Sequence, residues 1–348
     1  MDLINQDVKE AKMYILKKTL IAAAVISVVV GFLPTTAQAT ECGTSDKITI
    51  AEMTWLSASV LAIITQRILK VGYGCNAETI PGDTVPSATS MLTKGSPDIA
   101  PELWISTAST IWNKIQKKGN VYKAGDIFAS GGKEGWWIPD YVAKANPGLK
   151  SITDLEKFSK LFADVSNPDK GRLYGCPPGW GCEIITQNLF KALGLVKSFE
   201  LFSPGSGANL KASIARKVTQ KKPIVAYYWG PTAVIGKYNL VRLGMPPFDN
   251  EKFTCLTNKD CQNPQLSGWK PGDVAVAVVS KLRDKAPNVA AFLGKLQVPN
   301  ATLNKVLAWA DDNKASSEDA ALHFLKTEQA VWTKWVPADV AKKVKASF

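Results

Sequence analysis

Six cysteines constrain the fold of this 348-residue chain more than any other feature of its sequence. They are Cys42, Cys75, Cys176, Cys182, Cys255 and Cys261. An even cysteine set in an oxidising compartment predicts disulfides, although six cysteines allow fifteen pairings. Two pairs are six positions apart, so we expect Cys176–Cys182 and Cys255–Cys261 to close small loops. By elimination, Cys42 then pairs with Cys75.

A zinc site is the alternative use for these cysteines, but the sequence has no C-x-x-C pair. The single histidine, His323, lies far along the chain and is expected to flank a helix rather than to bind a ligand. We therefore expect neither a metal nor a cofactor.

Residues 1–39 have the pattern of a cleaved secretory signal peptide. A pair of lysines precedes an apolar stretch at residues 21–33, and Ala37 with Ala39 provide the small residues of a cleavage site. An uncleaved membrane anchor is the alternative, but this stretch is shorter than the roughly 20 residues that span a bilayer. The sequence predicts export to the periplasm, with Met13 as a second candidate start.

The net charge of +12 invites a nucleic-acid interpretation. The first 39 residues hold four lysines and three acidic residues, so the charge without them is +11. The remaining lysines are scattered and form no arginine-rich stripe, which favours a solvated basic surface and no nucleic-acid partner.

Strand-like and helical patterns alternate along the chain. The segments KITIAEM, DIAPELW, PIVAYYW and VAVAVVS predict strands, and residues 57–72, 183–195 and 299–311 have helical spacing. A further helix begins near Ser316, where Asp319 completes a capping box. This alternation predicts parallel βαβ units in an α/β fold.

A chain of this length exceeds the usual size of one core, so two lobes are expected. We place the first lobe at residues 40–137 with 270–348 and the second at residues 138–269, joined by two crossovers.

Eleven tryptophans are present, and three of them stand where a ligand site is expected. Trp104 and Trp229 end predicted strands, and Trp180 lies in the loop GCPPGWGCEI between two cysteines. In open α/β sheets, ligands bind outside the carboxyl ends of the strands. The alternative is that these three indoles fill the core, as we expect for Trp309, Trp332 and Trp335.

A cage of indole faces suits a quaternary ammonium ion, which has no N–H and attracts the negative face of an aromatic ring. Each contact contributes about 0.5–1 kcal/mol when exposed and roughly 2 kcal/mol when desolvated. Three desolvated rings supply a large share of the roughly 8 kcal/mol that corresponds to micromolar affinity.

The strings YGCPPGWGCE, AYYWGP and PELW, with ITIAEMTW, ILKVGY and NKASSEDAALHFL, resemble the substrate-binding proteins of glycine betaine/proline betaine ABC transporters. The resemblance implies a bilobal periplasmic binding protein fold of type II and no catalytic activity. It implies a monomer that delivers its ligand to an ABC permease in the inner membrane. It also implies that Trp104, from one lobe, and Trp180 and Trp229, from the other, box a trimethylammonium group.

The other end of a zwitterionic ligand also has candidate partners. The N–H groups of Gly181 and Cys182 begin a predicted helix, where an anion is favoured, although Glu183 nearby opposes an anion unless it turns away. Some betaine-binding relatives have a histidine where this chain has Ala108, which puts carboxylate recognition in doubt.

Additional acidic and aromatic residues surround the predicted cage. Glu102 precedes Trp104 by two positions on one strand face, Trp55 ends the first strand, and KEGWW contributes Glu134 and Trp137. A carboxylate near the cage favours choline, and a protonated one favours trimethylamine N-oxide or carnitine. Solvated acids and hinge packing are the alternatives.

Two other classes of protein share these features. A secreted hydrolase could pair Glu102 and Glu134 with indoles that stack on sugars, and a ligand-sensing partner of a membrane receptor would have the same cage. No nucleophile with a nearby histidine and no phosphate loop is recognised, so the sequence favours a binding protein.

Overall fold

Two mixed β-sheets organise the chain into two lobes. The computed structural model describes residues 41–270 and 272–348, and the predicted signal peptide lies outside the described residues. The strands are β1 (Ile48–Met53), β2 (Ala77–Gly82), β3 (Ile99–Trp104), β4 (Val121–Asp126), β5 (Lys133–Pro139), β6 (Ala163–Asp164), β7 (Asn167–Tyr174), β8 (Phe199–Phe202), β9 (Val225–Gly230), β10 (Leu240–Arg242) and β11 (Val274–Val279). The first sheet has the order β2-β1-β3-β11-β4, and the second has β10-β5-β9-β7-β6, with β8 beside β7.

Helices cover both sheets. They are α1 (Leu56–Arg67), α2 (Thr84–Lys94), α3 (Ser109–Lys118), α4 (Asp140–Ala145), α5 (Gly181–Ala192), α6 (Gly207–Thr219), α7 (Ala233–Lys237), α8 (Asn250–Leu256), α9 (Ser280–Lys285), α10 (Pro287–Lys295), α11 (Asn300–Asn313), α12 (Ser317–Thr327), α13 (Gln329–Trp332) and α14 (Ala338–Lys345). A π-helical turn (Ile68–Gly72) extends α1, and 3-10 helices span Ile152–Phe162 and Leu195–Lys197. No described helix combines the length and apolarity needed to cross a membrane.

The local sequence patterns form the elements they predict. The four strand segments become β1, β3, β9 and β11, and α12 starts with the Ser316–Asp319 capping box. The parallel prediction holds for β1 with β2 and β3, and for β7 with β8 and β9. It is wrong for β5, which runs antiparallel to β9 and β10, for β6, which runs antiparallel to β7, and for β11, which runs antiparallel to β3 and β4. For β11, the reason is that the strand enters the first sheet from the other lobe, so no βαβ crossover sets its direction.

The two crossovers meet at a pair of glycines. Gly132 and Gly272 each donate a backbone N–H to the carbonyl of the other, with both N–O distances at 3.1 Å. A Cβ on Gly272 would lie 2.2 Å from the Gly132 oxygen, so the strands approach closely because side chains are absent. β5 starts directly after this pair and joins β9, so the expected lobe boundary at 137/138 falls inside β5.

Three disulfides staple the described chain. Cys42–Cys75, Cys176–Cys182 and Cys255–Cys261 have Cα–Cα distances of 5.1, 5.7 and 5.3 Å. The second of them closes the loop before α5, and so it limits the motion of Trp180 within that loop.

The C-terminal part of the chain, from α11 to the turn after α13, contains the tryptophans expected in the core. Trp332 and Trp335 are buried, whereas Trp309 is half-buried and stacks on His323 with ring centroids 3.8 Å apart. His323 is thus a packing residue on the face of α12.

Candidate functional site

The first lobe contributes two indoles from the carboxyl ends of neighbouring parallel strands. Trp55 follows β1 as the N-cap residue of α1, and Trp104 is the last residue of β3. Because parallel strands end at the same edge of a sheet, both side chains reach the cleft between the lobes. Trp55 is 6% exposed and Trp104 is 5% exposed.

The second lobe contributes two further indoles. Trp229 lies near the end of β9, and Trp180 is the N-cap residue of α5. The ring centroid of Trp180 is 5.0 Å from that of Trp229 and 5.0 Å from that of Trp55. The ring planes are nearly perpendicular in the first pair and steeply inclined in the second. Trp180 therefore lies edge-to-face between indoles of both lobes.

These four indoles line one small cavity between the lobes. Its lining is completed by Thr84, Thr107, Glu134, Gly181, Cys182 and Tyr227. Its cavity volume is about 20 Å³, far below the roughly 300–1,000 Å³ of drug-sized ligand pockets, so the lining side chains nearly close on one another. The mostly aromatic lining suits a compact ligand whose surface is mostly methyl groups, once the lobes move apart to admit it.

Contacts around Trp180 close the cavity by joining the lobes. The Trp180 Nε1–H donates to Thr54 Oγ1 at 3.0 Å and to Asp83 Oδ1 at 3.1 Å, both in the first lobe. The Val85 N–H donates to the Gly179 carbonyl at 3.2 Å, so the backbone of the disulfide-closed loop at residues 176–182, here called the stapled loop, also contacts the first lobe. A Cβ on Gly181 would lie 2.5 Å from Thr107 Oγ1, which shows how closely this loop approaches the first lobe.

Glu134 is the only titratable carboxyl among the described residues that line the cavity. It lies on β5 opposite Trp229, and its Oε1 accepts a 2.6 Å hydrogen bond from the Tyr227 hydroxyl. Its Oε2 is buried and has no partner among the described residues. Burial raises the pKa of Glu134 to about 8 despite the Tyr227 bond, so the side chain is largely protonated at neutral pH.

Gly181 and Cys182 line the cavity at the start of α5, where the first N–H groups of a helix have no intrahelical acceptor. Glu183 does not line the cavity, and its Oε2 accepts the N–H of Gly179, just before the start of α5, at 2.9 Å.

Most of the residues expected at the site come together, with two differences. Glu102 does not line the cavity but lies behind it, where its Oε1 accepts the indole N–H groups of Trp55 and Trp104. Trp137 lies outside it and donates its Nε1–H to the Tyr228 carbonyl at 3.0 Å. The reason is strand alternation: three positions separate Trp137 from Glu134, which puts them on opposite faces of β5.

The sequence reasoning missed Tyr227, Thr84 and, as a lining residue, Thr107. Tyr227 precedes Trp229 by two positions, so strand alternation within AYYW would have placed both rings on one face. Thr84 follows the N-cap of α2, and no sequence signal marks it as a site residue. In the described ranges, no cluster of three or more His, Cys, Asp or Glu side chains could hold a metal ion.

Comparisons with known proteins agree with this architecture. A family model described as the substrate-binding domain of ABC-type glycine betaine transport systems matches residues 46–327. The glycine betaine/proline betaine-binding periplasmic protein of Salmonella typhimurium is 24% identical over 295 residues, which cover 80% of this chain and 85% of that protein. The trimethylamine N-oxide-binding protein of Pelagibacter ubique is 25% identical over 290 residues, covering 82% and 89%.

Solved structures show the same fold. An ABC-transporter choline-binding protein in complex with choline superposes with a TM-score of 0.68 at 19% identity, covering 88% of this chain and 98% of that chain. The chain therefore has the bilobal type II periplasmic binding protein fold, as its sequence predicts.

Proposed function

The chain belongs to the family of substrate-binding domains of ABC-type glycine betaine transport systems, and we propose that it delivers a small trimethylammonium compound to an ABC permease. The protein would act in the periplasm as a monomer after removal of residues 1–39. Its lobes would be residues 40–132 with 272–348 and residues 133–271, and they would close on the ligand about the Gly132–Gly272 pair.

The four-indole cavity carries this proposal. A trimethylammonium group spreads its charge over three methyl groups, and the desolvated faces of Trp55, Trp104, Trp180 and Trp229 attract that charge at roughly 2 kcal/mol per ring. No lysine, arginine or histidine of the described residues lines the cavity to repel a cation. A sugar-binding hydrolase would need a longer groove, with two carboxyls facing one substrate, whereas Glu102 is behind the rings.

The oxygen end of the ligand would meet Glu134 and the start of α5. A protonated Glu134 can donate its Oε2–H to a ligand carboxylate or N-oxide. The N–H groups of Gly181 and Cys182 can donate to the same ligand oxygens. With these partners the site can bind a betaine-type ligand even though Ala108 stands where some betaine-binding relatives have a histidine.

One observation favours a second candidate class of ligand. Glu134 has a single unpartnered oxygen in a small cavity, which suits one ligand oxygen better than two. Trimethylamine N-oxide would accept from the protonated side chain, and choline would donate to the ionised one.

Isothermal titration calorimetry of the purified protein tests these proposals. The panel is glycine betaine, proline betaine, choline, carnitine and trimethylamine N-oxide, with glycine as the control that lacks methyl groups. At least one trimethylammonium compound should bind and glycine should not. If no compound of the panel binds, the proposed function is contradicted.

The pH dependence identifies the oxygen partner. Because the pKa of Glu134 is about 8, affinity for a betaine or an N-oxide should fall when the pH rises through 8 and the proton donor is lost. Affinity for choline should rise over the same range, since the ionised carboxylate attracts its charge. Glu134→Gln keeps a donor without titrating and should remove the part of either dependence that Glu134 causes.

A further inference from the structure

Glu102 ties together two cage indoles that come from separate segments. Its Oε1 accepts hydrogen bonds from Trp55 Nε1 at 2.6 Å, Trp104 Nε1 at 3.0 Å and Ser57 Oγ at 3.1 Å. Glu102 is fully buried, and both indoles line the cavity that it does not itself reach. One oxygen therefore sets the orientation of half of the cage.

The Glu102 carboxyl lies in an apolar interior, an environment in which ionisable groups are rare. Transferring an unpaired charge from water into an apolar interior is costly, and no lysine, arginine or histidine of the described residues forms a salt bridge with Glu102. Burial raises the pKa of Glu102 to about 7, and the bonds from Trp55, Trp104 and Ser57 oppose that rise. A permanent positive charge on the other side of the two rings favours the ionised form.

The hydrogen bonds also couple the charge to the rings. A carboxylate that accepts an indole N–H polarises that indole, and hydrogen-bonded groups in a low-dielectric interior reinforce one another. Electron density pushed toward the ring faces strengthens their attraction for a cation.

We propose that Glu102 is a positioning residue that holds Trp55 and Trp104 in the binding orientation and adds its charge to the field in the cage without touching the ligand. This inference rests on the proposed function, because it assigns a role within the same cation site. It separates the two acids: Glu134 contacts the ligand oxygen, and Glu102 acts through the indoles on the trimethylammonium end.

Two substitutions separate orientation from charge. Glu102→Gln keeps an oxygen that can accept both indole N–H groups but removes the charge, and Glu102→Leu removes both. Glu78→Gln is the matched control, since Glu78 lies on β2 outside the cavity and pairs with Lys47 at 3.2 Å. The probe is tetramethylammonium, which has no oxygen for Glu134, and the measurements are calorimetric affinity and the near-ultraviolet circular dichroism of the indoles.

We expect Glu102→Gln to weaken tetramethylammonium binding about tenfold with an unchanged indole spectrum, which corresponds to the loss of about one cation–ring contact. Glu102→Leu should alter the spectrum and weaken binding further, and Glu78→Gln should leave both unchanged. Wild-type affinity in Glu102→Gln would overturn the inference, because the charge of Glu102 would then not act on the cation. So would a spectral change in Glu102→Gln as large as that in Glu102→Leu, since Glu102 would then be only structural.

The same measurements distinguish failure of the inference from failure of the function. If the wild-type protein binds tetramethylammonium and the panel ligands but Glu102→Gln binds equally well, only the role of Glu102 is refuted. If the wild-type protein binds none of these cations, the proposed function fails first.

Discussion

Replacing Trp180 by alanine is the most informative perturbation of the cage. Trp180 lines the cavity, lies edge-to-face with Trp55 and Trp229, and donates its Nε1–H to Thr54 and Asp83 across the cleft. In the described part of the chain it is the only one of the four cavity indoles whose N–H donates to the other lobe.

The magnitude follows from these contacts. One desolvated cation–π contact is worth roughly 2 kcal/mol, which is about a 30-fold change in affinity. The lost hydrogen bond across the cleft adds about 1 kcal/mol if the bond forms only in the closed state. We therefore expect Trp180→Ala to weaken binding by 30-fold or more, and Trp180→Phe, which keeps a ring but no N–H, to weaken it by about fivefold.

Calorimetric titration with the best ligand of the panel measures both variants. Trp112→Ala is the matched control, because that indole is half-buried on α3 and does not line the cavity. Far-ultraviolet circular dichroism should be the same for all variants, since Trp180 caps a helix held by a disulfide. Wild-type affinity in Trp180→Ala would refute the assignment of this ring to the ligand.

Three further predictions test the surroundings of the cage. The pKa of Glu134 is raised from 4.5 to about 8, so its stabilising proton is lost as pH rises; the melting temperature of the ligand-free protein should fall between pH 5 and 8, and Glu134→Gln should reduce that fall. A Cys176→Ser/Cys182→Ser double variant should bind at least about fivefold more weakly with little loss of far-ultraviolet signal, and equal loss of both would mean that the bridge is mainly structural. Gly132→Ala places a Cβ 2.3 Å from the Trp104 ring and should weaken binding about tenfold in calorimetry, whereas an unchanged affinity would show that the crossover absorbs the methyl group.

Local patterns were sufficient to predict four of the eleven described strands and four of the helices. Period-two segments ending in Trp104 and Trp229 became strands, and the Ser316–Asp319 box started its helix, because these signals depend on residues close in sequence. The antiparallel direction of β11 relative to β3 and β4 was not predictable in this way. It depends on the path of the chain through the other lobe, which is a non-local property.

The sequence by itself determined the fold class, the stapled loop and the residue types needed for a cation cage. Only the tertiary structure decided how the candidate acids are used, by placing Glu134 in the cavity and Glu102 behind two indoles. It also excluded Trp137 from the cavity and added Tyr227. The physical reason is that strand alternation assigns residues to faces, whereas the pairing of β5 with β9 and the approach of the lobes decide which faces meet.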